Sequence, residues 1–106
     1  MAYFYQVSFN IGADDMTELE IGSSLERVIG YLKTLLPSQP GYIDARALYS
    51  LDSADPIYVV VHSLWDRWDD LEQHRASNLA EEKVLREFGP HIEPEDLIVQ
   101  IFNEVS

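Results

Sequence analysis

The stretch IYVVVHSLWDRWDDLEQH, from Ile57 to His74, decides how the chain is read. It opens with β-branched and aromatic residues that suit a half-buried pleated strand, Ile57 to Trp65. Asp66 then stops the strand and offers a side chain that can cap a helix carrying Trp68, Leu71 and His74. Both tryptophans and two of the three histidines meet at this strand-to-helix junction. If a small molecule is held anywhere, the junction is expected to form part of its wall.

Upstream, Tyr42 to Leu51 alternates Ile43, Ala45, Ala47, Tyr49 and Leu51 against Tyr42, Asp44, Arg46, Leu48 and Ser50, which predicts a second strand before the central one. The small Ala45 and Ala47 leave room on their face for a packed helix or a ligand. The short polar connection LDSADP, Leu51 to Pro56, predicts an antiparallel hairpin. Downstream, the helix should run from Arg67 to about Phe88, with Trp68, Leu71, Leu79, Leu85 and Phe88 apolar. The pattern weakens at Ala76 to Asn78, where a kink or break is expected, and Gly89-Pro90 closes the helix.

Further out, Tyr3 to Ile11 alternates with period two and reads as the first strand, and Leu97 to Val105 as the last. Between the first two strands, Leu25, Val28, Ile29, Leu32, Leu35 and Leu36 follow helical spacing over Ser24 to Leu36, and Pro37 ends the run. Two capping-box spacings precede it, Thr17 with Glu20 and Ser23 with Glu26. Gly22 between them predicts a short turn followed by a restart.

The order β-α-β-β-α-β is the split βαβ, or ferredoxin-like, arrangement of the α+β class: a four-stranded antiparallel sheet with two helices on one face, as one domain over residues 1–106. The other sheet face would carry Phe4, Tyr58, Leu64, Ile98 and Phe102 mixed with Gln6, Ser8, Asn10, His62 and Gln100. That face is too apolar to leave wet and too polar for a sealed core, so a homodimer with facing sheets is expected.

A chain of 106 residues with 46% hydrophobic content supports one core. It has no run of 18 apolar residues, opens directly in strand-like sequence without the regions of a signal peptide, and contains no cysteine, which together predict a cytoplasmic protein with no membrane span. The net charge of −12 repels phosphate backbones and anionic lipid, so neither nucleic acid nor membrane is an expected partner. The acidic side chains, Glu81 and Glu82 among them, read as a solvated surface. There is no Gly-rich phosphate loop, no GxSxG and no HExxH. His62, His74 and His91 lack the i, i+4 pairing of a metal site and should lie on three different surfaces, so no metal is expected.

The third strand ending in Leu64-Trp65, the turn at Asp66 and the run DDLEQHRAS from Asp69 to Ser77 resemble the dimeric α/β-barrel superfamily, and within it the antibiotic biosynthesis monooxygenase-like group. There, a strand-end Trp is followed by a short polar turn and a helix bearing His about nine residues on, a spacing that Trp65 and His74 keep. The resemblance implies oxidation of phenols or quinols by O₂ without metal or flavin. The quinone-forming members place an Asn four residues before the Trp and a Tyr six residues after it. Here those places hold Val61 and Leu71, with Arg86 the one further candidate, for an Arg late in the second helix. The haem-degrading members' Asn, Trp and His positions fall on Val7, His74 and Val84, which disfavours haem degradation.

An apolar pocket between sheet and helices is expected to be lined by Trp65, Val61, Ser63, Trp68 and Tyr5, with Ala47 and Tyr49 nearby, and to suit a small hydrophobic or aromatic molecule. His74 or Tyr49 would assist deprotonation, because imidazole titrates near neutral pH and a phenol can relay a proton. The plainer role for His74 is a partly buried histidine hydrogen-bonded to backbone. A rival to catalysis is a binding or structural barrel without turnover. An isomerase or lyase would need an acid-base pair, for which the pocket face offers no close carboxylate.

Overall fold

The computed structural model describes residues 2–52 and 54–105. Its elements are β1 (Tyr3–Ile11), α1 (Glu18–Leu35), a 3₁₀ turn (Leu36–Ser38), β2 (Tyr42–Tyr49), β3 (Ile57–Trp65), α2 (Trp68–Ser77), α3 (Leu79–Phe88), a 3₁₀ turn (Pro94–Asp96) and β4 (Ile98–Asn103). The four strands form one antiparallel sheet in the order β2-β3-β1-β4. The expected ferredoxin-like sheet is present, and the hairpin between β2 and β3 pairs as predicted. Ser53, in its connection, lies outside the described residues.

Alternation on the strands decides which side chains enter the core. On β1, Tyr5, Val7, Phe9 and Ile11 are buried, and across the sheet Ile57, Val59, Val61 and Trp65 of β3 join them. Helix α1 covers them with Ile21, Leu25, Val28 and Leu32, and α3 with Ala80, Val84 and Phe88. Each Val, Leu, Ile or Phe among them contributes on the order of 1.5–3 kcal/mol by leaving water. Glu87 on α3 ties the two helices, accepting from Arg27 Nε at 2.7 Å and from Lys83 Nζ at 3.0 Å.

Helix α1 departs from expectation, and the second helix breaks within the stretch Ala76 to Asn78 where its pattern weakens. Helix α1 runs without interruption from Glu18, and the restart at Ser23 does not occur. Thr17 is the N-cap: its Oγ1 accepts from Glu20 N–H at 3.2 Å while its own N–H donates to Glu20 Oε1 at 3.1 Å. The apolar face passes straight across Gly22, and burying Ile21 and Leu25 together outweighs the ~1 kcal/mol that a helical glycine costs. The second helix is two. It breaks at Asn78, which takes the left-handed conformation (φ 55°) that Asn tolerates better than other side chains. The chain is therefore β-α-β-β-α-α-β. The break also rephases α3, so Ala80, Val84 and Phe88 face the core while Leu79 and Leu85 are only half-buried.

Strand β2 is bulged. Tyr42 opposes Trp65 and Asp44 opposes Leu64, so Ile43 is the extra residue and turns outward, half exposed, away from the core face expected for it. Strands β2 and β4 are also shorter than predicted, ending at Tyr49 and Asn103.

The face of the sheet away from the helices carries rows of cross-strand neighbours. Leu64, Phe4 and Phe102 form one row, His62, Gln6 and Gln100 the next, and Val60, Ser8 and Ile98 a third. Phe102, Ile98, Tyr58 and Leu48 on this face are exposed. His62 lies there as predicted, half-buried and edge-on to Phe4 at 5.4 Å. Among the described residues no helix is long and apolar enough to cross a membrane.

Candidate functional site

Trp65, at the end of β3, points its indole under α2 and is 0% exposed. Its Nε1–H donates to Ser63 Oγ at 2.8 Å, so the hydroxyl expected to serve a ligand holds the indole instead. The imidazole of His74 stacks on the indole at 4.9 Å and 27°, Tyr42 meets it edge-on at 5.9 Å, and Leu71 and Val61 are buried in the same core. Trp68 leaves this cluster: 46% exposed, it rests edge-on against Tyr3 at 5.7 Å.

The turn is fixed by backbone, not by the expected Asp66 cap. Arg67 is the N-cap of α2, with no side-chain hydrogen bond, and Asp66 N–H donates to Gly41 O at 2.8 Å. Gly41 adopts φ +77°, and a β-carbon there would strike the Asp70 carboxylate. Only glycine combines that backbone with that close approach.

His74 is 3% exposed, and among the described residues neither ring nitrogen has a hydrogen-bond partner. The expected bond to backbone is not made. Burial pushes its pKa down from 6.5 to about 4, so the ring is neutral at pH 7. Tyr5 meets its other side edge-on at 5.1 Å.

Beyond Tyr5 the surface opens into a cleft of about 480 Å³, lined by Tyr5, Arg75, Glu81, Val99 and Ile101 among others. It exists because β4 is an edge strand, with α2 packed over β1 and β3. The Tyr5 hydroxyl donates to Glu81 Oε2 at 2.8 Å, while Glu81 Oε1 is buried without a partner among the described residues. Burial first, then the bond to Glu81, raises the phenol's pKa above its ordinary value, with Arg75 opposing, so Tyr5 stays protonated. The sequence gives Glu81 one signal, its place seven residues after His74. The left-handed turn at Asn78 completes the job of bringing it to Tyr5. An acidic partner thus stands where none was expected.

Tyr49 does not reach this place. It lies two strands from Tyr5 and four residues along from Ala45, the cross-strand neighbour of Ser63, which amounts to about 16 Å. With Ala45 and Ala47 it lines a different cleft, against α1. The proton-handling pair His74 and Tyr49 is therefore split between two regions. His91 is exposed in the loop after α3, so the three histidines do lie apart. Among the described residues no three His, Asp or Glu side chains gather in a metal-binding group.

No protein-family model matches the chain, and no curated protein sequence matches it. Solved structures do. SnoaB, a cofactor-independent oxygenase from Streptomyces nogalater, superposes with a TM-score of 0.64 at 13% identity, over 99% of this chain and 94% of that one. A candidate antibiotic biosynthesis monooxygenase from Nitrosomonas europaea gives 0.63 at 15% identity, over 98% and 90%. A dimeric protein of unknown function with a ferredoxin-like fold from Bacteroides fragilis gives 0.66 at 12% identity, over 97% and 96%. At such identities what is shared is the fold, and this chain shares the fold of these three proteins, ferredoxin-like in the Bacteroides fragilis one, over nearly its whole length.

Proposed function

We propose that the protein is a cofactor-independent monooxygenase of small aromatic or quinol-type molecules, built as a cytoplasmic homodimer of single-domain subunits. The observation that carries this reading is the Tyr5–Glu81 hydrogen bond in the wall of a cleft that also offers apolar Val99 and Ile101. A flat phenol lies against those two side chains with its hydroxyl at Tyr5 Oη. Tyr5 accepts the substrate's proton as it passes its own to Glu81, so the phenol becomes a phenolate while Tyr5 stays neutral.

The chemistry then belongs to the substrate. The ring carbon para to the phenolate, a CH₂ in the keto tautomer, gives an electron pair to O₂ and forms a C–O bond. Loss of water from the hydroperoxide leaves a carbonyl, so CH₂ and O₂ become C=O and H₂O, and the substrate supplies all four electrons. The protein contributes positioning and a partly dry wall. His74 and Trp65 act from behind, holding the Tyr5 ring edge-on against a neutral surface.

O₂ uptake on a panel of phenols whose para carbon carries hydrogen tests the reading. Glu81→Gln and Tyr5→Phe should each lower the rate about 100-fold or more, the usual size of a lost proton-transfer group. His74→Ala should lower it as well, by releasing Tyr5. Equal rates with and without protein end the proposal. The dimer is supported by the exposed apolar rows around Phe102 and Ile98 and by the dimeric Bacteroides fragilis neighbour. A monomeric mass by light scattering at micromolar concentration removes it.

A second reading, a non-catalytic barrel that binds a small hydrophobic ligand or none, is favoured by the sealed Trp65 and by Val61 and Leu71, apolar side chains buried in the same core. Under it, ligands are retained while O₂ is not consumed.

A further inference from the structure

The flank of the helix layer opposite Tyr5 holds a second cleft, which the proposed oxidation does not use. It has a volume of about 530 Å³ and lies between α1 and β2. Its floor is Ala45 and Ala47, which take the helix-facing positions opposite Ser63 and Val61 of β3, and its wall is Leu25 and Ile29 of α1. Methyl groups on an edge strand cannot fill the gap to the helix. The space left is of the size at which small molecules bind.

The cleft is polar at its two ends, and the ends differ. At one is Arg46, which opposes His62 and so leaves β2 on the face away from the helices, and which lines the cleft at the strand edge. There its Nε donates to Asp44 at 3.1 Å and Lys33 Nζ stands 3.9 Å from the same carboxylate. Two cations on one carboxylate leave a net positive charge, in a chain whose net charge is −12. Arg46 uses only its Nε on Asp44, and its terminal amino groups make no hydrogen bond among the described residues. At the other end are Tyr49 and Glu26, beside Gly22. Ala45 and Tyr49 are four residues apart on the strand, so the ends are about 13 Å apart.

We propose that the cleft between α1 and β2 is a binding site for a small amphipathic carboxylate, its anionic end held by Lys33 and Arg46, its apolar body on Ala45 and Ala47, and a hydroxyl at its far end received by Tyr49 and Glu26. Arg46 supplies planar paired donors for a carboxylate, and Lys33 a point charge beside it. The excess of acid elsewhere on the chain repels the same anion, which confines it to this mouth. Tyr49 thereby has a task separate from His74. The site is independent of the oxidation proposed at Tyr5 and Glu81.

The test is titration of the intact protein with 6-hydroxy-2-naphthoate, a fluorescent flat molecule with a carboxylate and a hydroxyl at opposite ends. The expected result is saturable binding at a site that Glu81→Gln leaves unchanged, at least tenfold tighter there than 2-naphthol, which lacks the anion. The double variant Lys33→Gln/Arg46→Gln, at two exposed positions, should bind at least tenfold more weakly. Ala47→Leu, which fills the floor, should abolish binding, with far-UV circular dichroism checking that the variant is folded. Glu81→Gln should bind like the parent, which separates this site from the one at Tyr5. Absence of saturable binding to millimolar probe, 2-naphthol binding as tightly, or unchanged affinity in the double variant overturns the proposal.

Discussion

The two flanks of the helix layer are built on the same sheet rows and end up opposite in character. Beneath α2, the row that ends in Trp65 is packed solid with rings: the indole, the His74 imidazole, Tyr5 and Tyr42 lie within 6 Å of one another, centroid to centroid, in successive pairs. Beneath α1, on the neighbouring strand β2, the corresponding positions are Ala45 and Ala47, and the space stays open. Alternation puts side chains on the helix side in both places. Volume then decides whether the result is a core or a cleft. The sealed flank carries its polar group, His74, at a cost, while the open flank carries Lys33, Arg46 and Tyr49 at the rim, where water serves them.

Removing the largest ring should break the contrast most visibly. Trp65→Ala deletes a side chain that is 0% exposed and on which His74 and Tyr42 both lean. The expected loss is about 3–5 kcal/mol in urea unfolding, because the transfer cost and the cavity add. A loss below about 1 kcal/mol would mean that the ring is dispensable packing and that the two flanks are alike.

The next effect is a dependence on pH. His74 has a folded pKa of about 4 against an ordinary 6.5, so the folded chain keeps it neutral where the unfolded chain takes up a proton. Its stabilising effect is whole above pH 6.5 and is lost as pH falls toward 4. Between pH 7 and 5 the loss is about 2 kcal/mol. His74→Phe keeps a ring in place and deletes two unpartnered nitrogens, so it should be at least as stable as the parent at pH 7. Its urea midpoint should fall less than the parent's on moving to pH 5. Some slope remains, because burial and then Arg46 also hold the His62 pKa below its ordinary value. An undiminished slope in the variant would place the titration elsewhere.

Most of the fold was legible because its signals are local and repeated. Period-two alternation marked β1, β2 and β4, a β-branched run marked β3, and the helix spacing marked α1. What was not legible turned on single residues with two readings. Ile43 kept the alternation of β2 in sequence, yet a bulge turned it outward, and nothing local announces which residue of a strand will be extra. Gly22 suggested a restart that core burial on either side overrode. The site was less legible than the fold. Trp65 and His74 were found through their spacing, and the structure brings them into contact. Tyr49 was grouped with them on face alone, since the sequence does not state how many strands separate two residues of one face. Glu81 was counted as solvated surface because it stands beside Glu82. Its approach to Tyr5 depends on the left-handed turn at Asn78 and on β4 taking the edge beside β1, neither of which periodicity encodes.

The smallest effect sharpens the comparison from the open side. A β-carbon at Gly22 would meet nothing within 4 Å, and the residue lies inside α1, facing the cleft. Gly22→Ala should therefore stabilise the protein by about 0.5–1 kcal/mol, chiefly by restricting the unfolded chain, and raise the midpoint of thermal unfolding by a few degrees. The same logic fails at Gly41 on the sealed flank, where φ is +77° and Asp70 occupies the space. Destabilisation by Gly22→Ala would mean that α1 lies closer to β2 than the cleft requires. Stabilisation with 6-hydroxy-2-naphthoate still bound would show that the room beside β2 exceeds one methyl group, the minimum that a ligand lying on Ala45 and Ala47 needs.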